Sequence, residues 1–224
     1  MSGGPAVLAG LAGASIWLTG RALRRHHRPS PPVLLGFAGI VTYVAVARPW
    51  SRSWGATPDE SEKPLPGDEL VPDPGVTMTR AVTVDAPVED VWPWLAQIGQ
   101  DRGGFYSYEW LENLAGCHMR NADTIYPEWQ HRDVGETVLF HPATGPKLAR
   151  FEPNRSYAFD GGWYFALEPL DAHRTRLLAR SRIPHGLPSL AYAIFIELPH
   201  FIMERKMLLG IKARAEQAAE NGRP

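Results

Sequence analysis

The 224-residue sequence has a single cysteine, Cys117. It therefore forms no intramolecular disulfide and offers no multi-cysteine zinc site. It also lacks a charge excess: 23 basic residues against 24 acidic ones leave a formal charge of -1, which excludes the strongly basic surface of a nucleic-acid binder. Two stretches lack charge altogether. Residues 1–20 and 29–47 contain no Asp, Glu, Lys or Arg, and each approaches the ~20 residues needed to span a membrane.

These two runs predict two hydrophobic N-terminal helices, a transmembrane hairpin over residues 1–47. Arg21, Arg24, Arg25 and Arg28 lie between them, whereas only Arg48 and Arg52 follow. By the positive-inside rule the 21–28 loop is expected in the cytoplasm and the remaining chain on the outer side. The first run has no basic leading segment, so it reads as retained, not as a cleaved signal peptide. Its Gly and Ala residues suit close helix packing. A soluble or interfacial hairpin is the alternative, because glycine and proline dilute both runs.

Residues 48–77 carry six prolines and six acids, the composition of a solvated tether that could also drape over the following domain. That domain is expected over residues 78–219, with 220–224 as a tail. "MTRAVTVDAP" alternates like a strand and runs into a helix at "VEDVWPWLAQI", where Pro93 could kink it. "SYEWLENLAG" predicts a short helix with Trp110, Leu111 and Leu114 on one side and Gly116 ending it. "GETVLFHP", "KLARFEP", "RSYAFDG", "GWYFALEPL" and "TRLLARSRI" predict an antiparallel meander. In the last of these, Arg174, Arg176, Arg180 and Arg182 share one face with Leu178, read as wet, and Thr175, Leu177, Ala179, Ser181 and Ile183 share the covered face. A long helix follows over about 187–219, with Pro199 as its expected bend.

The densest stretch is "GQDRGGFYSYEW", residues 99–110. Its glycines fit no phosphate-binding loop and no lysine follows them. They suit a tight turn, with Phe105, Tyr106, Tyr108 and Trp110 packing inward or lining the wall of an apolar pocket. Trp129, Trp163 and Phe165 are further candidates for that wall, beside the bland reading of plain core, and Tyr126 is read as core. Glu128 and His131 stand at i, i+3, a spacing for an acid–base pair or a structural hydrogen bond. With only His118 and His141 as distant partners, no metal is expected. Arg205 interrupts an apolar helix face and is the charge to look for near a cavity.

The stretches "VTVDAPVEDVWPWLAQIGQDRGGFYSYEWLENLAG", "NADTIYPEWQHRDVGE" and "FIMERKMLLGIKARAE" resemble the START-like, or SRPBCC, superfamily, and within it a bacterial subgroup labelled polyketide cyclase-like. The resemblance covers about residues 79–219 and leaves out the N-terminal hairpin. It implies an α+β helix-grip fold, a curved antiparallel sheet wrapped around a long C-terminal helix, with short helices after the first strand. It also implies a cavity for lipids, sterols, polyketides or similar molecules, and no shared catalytic set. The leading expectation is a membrane-tethered module that binds a hydrophobic small molecule without a cofactor, in a bacterial inner membrane or its equivalent. A cyclase, dehydratase or hydrolase using His131, Glu128 or Tyr108 is the second, and a ligand-free interaction or sensor protein the third.

Overall fold

The computed structural model describes residues 30–222, so the first hydrophobic run and the arginine loop lie outside the described residues. The second run is one helix, α1 (Pro31–Arg52), and it is the one helix among the described residues long and apolar enough to cross a membrane. A π-helical turn occupies Tyr43–Ala47. Leu35, Val44, Val46 and Trp50 stand exposed along it. Helix α1 continues five residues past the uncharged run because its last arginines have a partner. Glu197 accepts two hydrogen bonds from Arg48, both 2.9 Å, and two from Arg52, at 2.8 and 2.9 Å.

Five strands follow: β1 (Pro74–Val84), β2 (Leu148–Glu152), β3 (Ser156–Phe159), β4 (Trp163–Asp171) and β5 (Arg174–Pro184), in the antiparallel order β1-β5-β4-β3-β2. The first strand begins at Pro74, four residues before the Met78 start read from sequence. The expected strand at "GETVLFHP" does not form. Residues 137–147 make only isolated bridges, because Pro142 and Pro146 have no N–H for a ladder. Gly145 moreover lies so close to Val138 that a Cβ would meet the Val138 carbonyl oxygen at 1.8 Å.

The side-chain alternation of the strands divides two cores. Val82, Val84, Phe165, Leu167, Leu177 and Ala179 face the main core, with helices on that side. Ala81, Ala158, Tyr164, Ala166 and Leu178 form a smaller cluster on the other face, together with Leu65. The arginine face of β5 was read as wet, and the structure corrects this: the acidic, proline-rich segment straps across it. Helix α2 (Pro58–Glu62) opens with a Thr57/Glu60 capping box, and Glu60 then receives Arg176 at 2.7 and 2.8 Å. Asp68 receives Arg180 at 2.9 Å and Arg182 at 2.8 Å, and it also accepts from the Tyr164 hydroxyl. The six acids that suggested solvation are therefore partly consumed by the sheet's own arginines, which leaves Arg180 only 2 % exposed.

Helix α3 (Val88–Ala96) buries Val91, Trp92, Trp94 and Leu95, and runs through Pro93. Helix α4 (Glu109–Leu114) is short and shallow. Trp110 was read as packing inward but is 68 % exposed, and Leu114 on the same helix is 81 % exposed. The C-terminal helix comprises α5 (Leu187–Ala191), a π-helical turn over Tyr192–Ile196, and α6 (Glu197–Asn221). Its irregularity precedes Pro199, since a proline in the first turn of α6 has no i→i−4 bond to lose. Residues Phe201, Glu204, Met207, Leu208, Ile211, Ala215 and Ala219 of α6 are buried, the three-and-four spacing of a helix face, and α6 contacts both α3 and β1. The fold is the α+β helix-grip arrangement: a curved five-stranded antiparallel sheet with a long C-terminal helix.

Candidate functional site

A cavity of about 350 Å³ lies between the sheet and the C-terminal helix, within the size range of small-molecule sites. The sheet contributes Trp163, Ser181 and Ile183, and the helix contributes Tyr192, Ile196, His200, Met203, Glu204 and Met207. Phe105, Ser107, Glu112, Met119 and Phe140 close the remaining side. Aromatic rings set much of its shape. Trp163 stacks on Phe159 with centroids 5.3 Å apart and meets Phe140 edge-on at 5.5 Å.

The turn at 99–104 positions Phe105. Gly99 and Gly104 both have positive φ and form an antiparallel bridge, and a Cβ on Gly104 would meet the Arg120 carbonyl oxygen at 2.6 Å. Tyr106 follows with φ 56, a conformation costly for a residue with a Cβ. Several contacts hold it there. Its N–H donates to Asn121 Oδ1 at 2.6 Å, its hydroxyl accepts from Gln97 Nε2 at 3.0 Å, and the Arg214 guanidinium lies over its ring at 5.0 Å. The chain reversal sends neighbouring rings to different places, Phe105 into the cavity wall and Tyr106 into the core beneath it.

One end of the cavity carries a buried polar chain. Glu204 is 2 % exposed and Arg80 is fully buried. Arg80 donates from Nη1 to Glu204 at 2.5 Å and from Nε to the Ser51 carbonyl at 2.7 Å. The Trp163 indole N–H donates to Glu204 Oε1 at 2.5 Å, and His200 Nε2 lies 3.3 Å from the same oxygen. Tyr192 completes the chain through a hydrogen bond to His200 Nδ1. The His200 ring thus bridges the Tyr192 hydroxyl and the Glu204 carboxylate. Burial pushes the Glu204 carboxyl up, but the charges and hydrogen bonds of His200 and Arg80 prevail and hold it at about 2. Burial also pushes the Tyr192 phenol up, keeping it protonated.

Glu112 sits in the wall under opposite conditions. Burial, with the Glu109 charge beside it, pushes its carboxyl up to about 7, and Oε2 is buried without a hydrogen-bond partner among the described residues. Asn113 shapes the adjoining loop by donating from Nδ2 to the Met119 carbonyl at 3.0 Å and accepting the Met119 N–H.

Of the residues singled out in the sequence, Phe105 and Trp163 line this cavity. Tyr106 and Phe165 are buried in the main core, and Phe165 meets the Trp163 ring edge-on at 4.9 Å. Tyr108 precedes α4 and lies 5.7 Å from the Lys206 ammonium. Trp110 points to solvent. Trp129 packs on the exposed Tyr126. Glu128 and His131 are exposed, and His131 faces Asp133 at 3.3 Å, so they share no site with the cavity. Arg205 lies over Trp54 at 4.9 Å, on the outer side of the helix. Among the described residues no group of three or more His, Cys, Asp or Glu could hold a metal.

Sequence reading missed Arg80, Glu112, Ser181, Tyr192, His200 and Glu204. A signal existed for three of them: His200 and Glu204 are at i, i+4 on the same helix face as Met207 and Ile211. For Arg80 the signal was a charge inside an otherwise uncharged strand.

No family model matches the chain, and no curated protein matches it. Solved structures do match, with likeness confined to fold. A Polyketide_cyc-like protein from Corynebacterium glutamicum is 17 % identical, with 65 % of this chain and 94 % of that one covered and a TM-score of 0.33. A protein from Chromobacterium violaceum is 15 % identical, with coverages of 62 % and 96 % and a TM-score of 0.38. A protein from Arthrobacter aurescens is 18 % identical, with coverages of 63 % and 86 % and a TM-score of 0.37. With TM-scores this low, the helix-grip assignment rests on the strand order and helix placement described above.

Proposed function

We propose that the chain is a membrane-tethered binding module for a hydrophobic small molecule, a lipid-, sterol- or polyketide-like compound held between the sheet and the C-terminal helix. The observation that carries this reading is the cavity of about 350 Å³, whose wall is mostly Phe, Trp, Met and Ile. Such walls exclude water and favour apolar ligands without a committed reaction. Native mass spectrometry of the full chain released from detergent tests it: an apolar molecule is expected to travel with the protein. Met207→Trp, which fills the cavity, is expected to lose that molecule while circular dichroism stays native. Failure of the native protein to hold any apolar compound would overturn the reading in favour of a ligand-free interaction or sensor role.

The tether rests on α1, a 22-residue helix that is apolar up to its closing arginines and mostly exposed. Its closing arginines bind Glu197 on α6, next to the exposed Phe195, Ile196 and Leu198 of the C-terminal helix. An apolar face on both elements suits a bilayer and its interface. The arginine-rich 21–28 loop then lies in the cytoplasm and the domain outside. Protease protection in spheroplasts checks the orientation, and N-terminal sequencing of the membrane-bound protein distinguishes a retained anchor from a cleaved signal.

A second reading has a specific observation behind it. Tyr192, His200 and Glu204 form a connected proton path at the cavity wall, which fits acid–base chemistry of a cyclase or dehydratase kind better than His131, Glu128 or Tyr108 do. Under that reading His200→Ala preserves binding but leaves the bound compound chemically unchanged, where the native protein converts it.

A further inference from the structure

Two buried oxygens in the cavity wall have no hydrogen-bond partner among the described residues: Glu112 Oε2 on α4 and Ser181 Oγ on β5. The other polar groups of the wall are engaged. Ser107 Oγ donates to the Met203 carbonyl at 3.0 Å, Tyr192 and His200 bond each other, and Glu204 takes Arg80 and Trp163. A buried polar atom left unpaired carries its full desolvation cost, so these two atoms are where a ligand's polar end gains most. The wall contains no Lys or Arg, and Arg80 behind it is committed to Glu204 and Ser51.

We infer that Glu112 and Ser181 form the polar anchor of the cavity, and that its ligand is an apolar molecule ending in a hydroxyl and not in a carboxylate. This rests on the cavity-binding function proposed above and narrows it. A hydroxyl both donates and accepts, so it satisfies the Ser181 hydroxyl, and it satisfies the Glu112 carboxyl whether that group is protonated or ionised. The upward push on the Glu112 carboxyl keeps much of it neutral near pH 7, which suits an uncharged partner. A fatty carboxylate accepts only, and it would place another anion against Glu112 and Glu204 with no Lys or Arg in the wall to receive it and His200 already paired with Glu204.

The test is competition native mass spectrometry on the full chain in detergent, with dodecane, 1-dodecanol and dodecanoate as probes at equal concentration. The expected result is occupancy by 1-dodecanol about tenfold above dodecane, the worth of one or two buried hydrogen bonds, and dodecanoate at or below dodecane. Glu112→Leu is expected to bring the alcohol down to the dodecane level while dodecane binding persists. Ser181→Ala, a milder change, is expected to lower the alcohol severalfold. Equal binding of all three probes, or preference for dodecanoate, overturns the anchor while leaving the cavity function standing. Binding of none of the three overturns the cavity function itself. If Glu112→Leu fails to fold, Glu112→Gln and Ser181→Ala are measured as a pair, and an alcohol preference unchanged in both refutes the inference.

Discussion

Removing the Glu204 carboxylate should be one of the most damaging single changes in this protein. Glu204→Ala leaves the fully buried Arg80 guanidinium facing a small cavity, and an orphaned buried charge costs about 3 to 5 kcal/mol. The Trp163 indole N–H and His200 lose their acceptor as well, but such losses do not add when they share one partner. The pH route gives a similar size. A carboxyl held at about 2 against an ordinary 4.5 corresponds to about 3 kcal/mol of stability. Because the folded value is depressed, that stability is fully present above pH 4.5 and is lost as pH falls toward 2. The expected loss of about 4 kcal/mol is a large share of the 5 to 15 kcal/mol that holds a typical domain. Urea unfolding followed by tryptophan fluorescence reads it as a lower midpoint with unchanged slope. Arg80→Met combined with Glu204→Met should recover most of the loss, since a buried pair replaced by apolar side chains is often neutral, and it should flatten the acid limb between pH 4.5 and 2. A cost below about 1 kcal/mol for Glu204→Ala, or a double variant no better than the single one, would refute the reasoning.

Other consequences follow from the same packing. Glu112 has the opposite sign: its raised carboxyl means that stability present below pH 4.5 is lost as pH rises through about 7, by roughly 2 kcal/mol after discounting its partial exposure. Glu112→Gln should remove that slope in thermal melts taken from pH 4 to 8, and a slope unchanged in the variant would place its cause elsewhere. Gly210→Ala should destabilise although alanine is the better helix former by about 1 kcal/mol, because its Cβ would stand 2.4 Å from the Tyr106 carbonyl oxygen; a higher melting temperature would contradict that contact. Removing residues 1–47 should leave a folded domain, whereas removal through Leu70 strips Glu60 and Asp68 from three arginines and should yield aggregated protein. Limited proteolysis of the two truncated chains decides between these outcomes.

Periodicity alone announced the strand that enters a helix at Val88, the meander of β2 to β5, and the long final helix, because each element's apolar spacing follows its own backbone repeat whatever packs against it. The glycines of residues 99–104 likewise announced a tight turn. The occupants of the cavity wall were beyond such reading. Consecutive rings of "FYSYEW" share one local pattern, yet the reversal after Gly104 sends Phe105 to the cavity, Tyr106 to the core and Trp110 to solvent. The acid of "MERK" and its neighbouring base look alike in sequence, but a helix turns by 100° per residue, which put Glu204 inward onto Arg80 and Arg205 outward onto Trp54. An acidic, proline-rich segment reads as solvated because composition records its charges and not their partners. Only the tertiary structure brought Glu60 and Asp68 over the arginines of β5, 112 to 116 residues away in sequence for the closest pairs, and only that long-range pairing decided that the strap lies across the sheet.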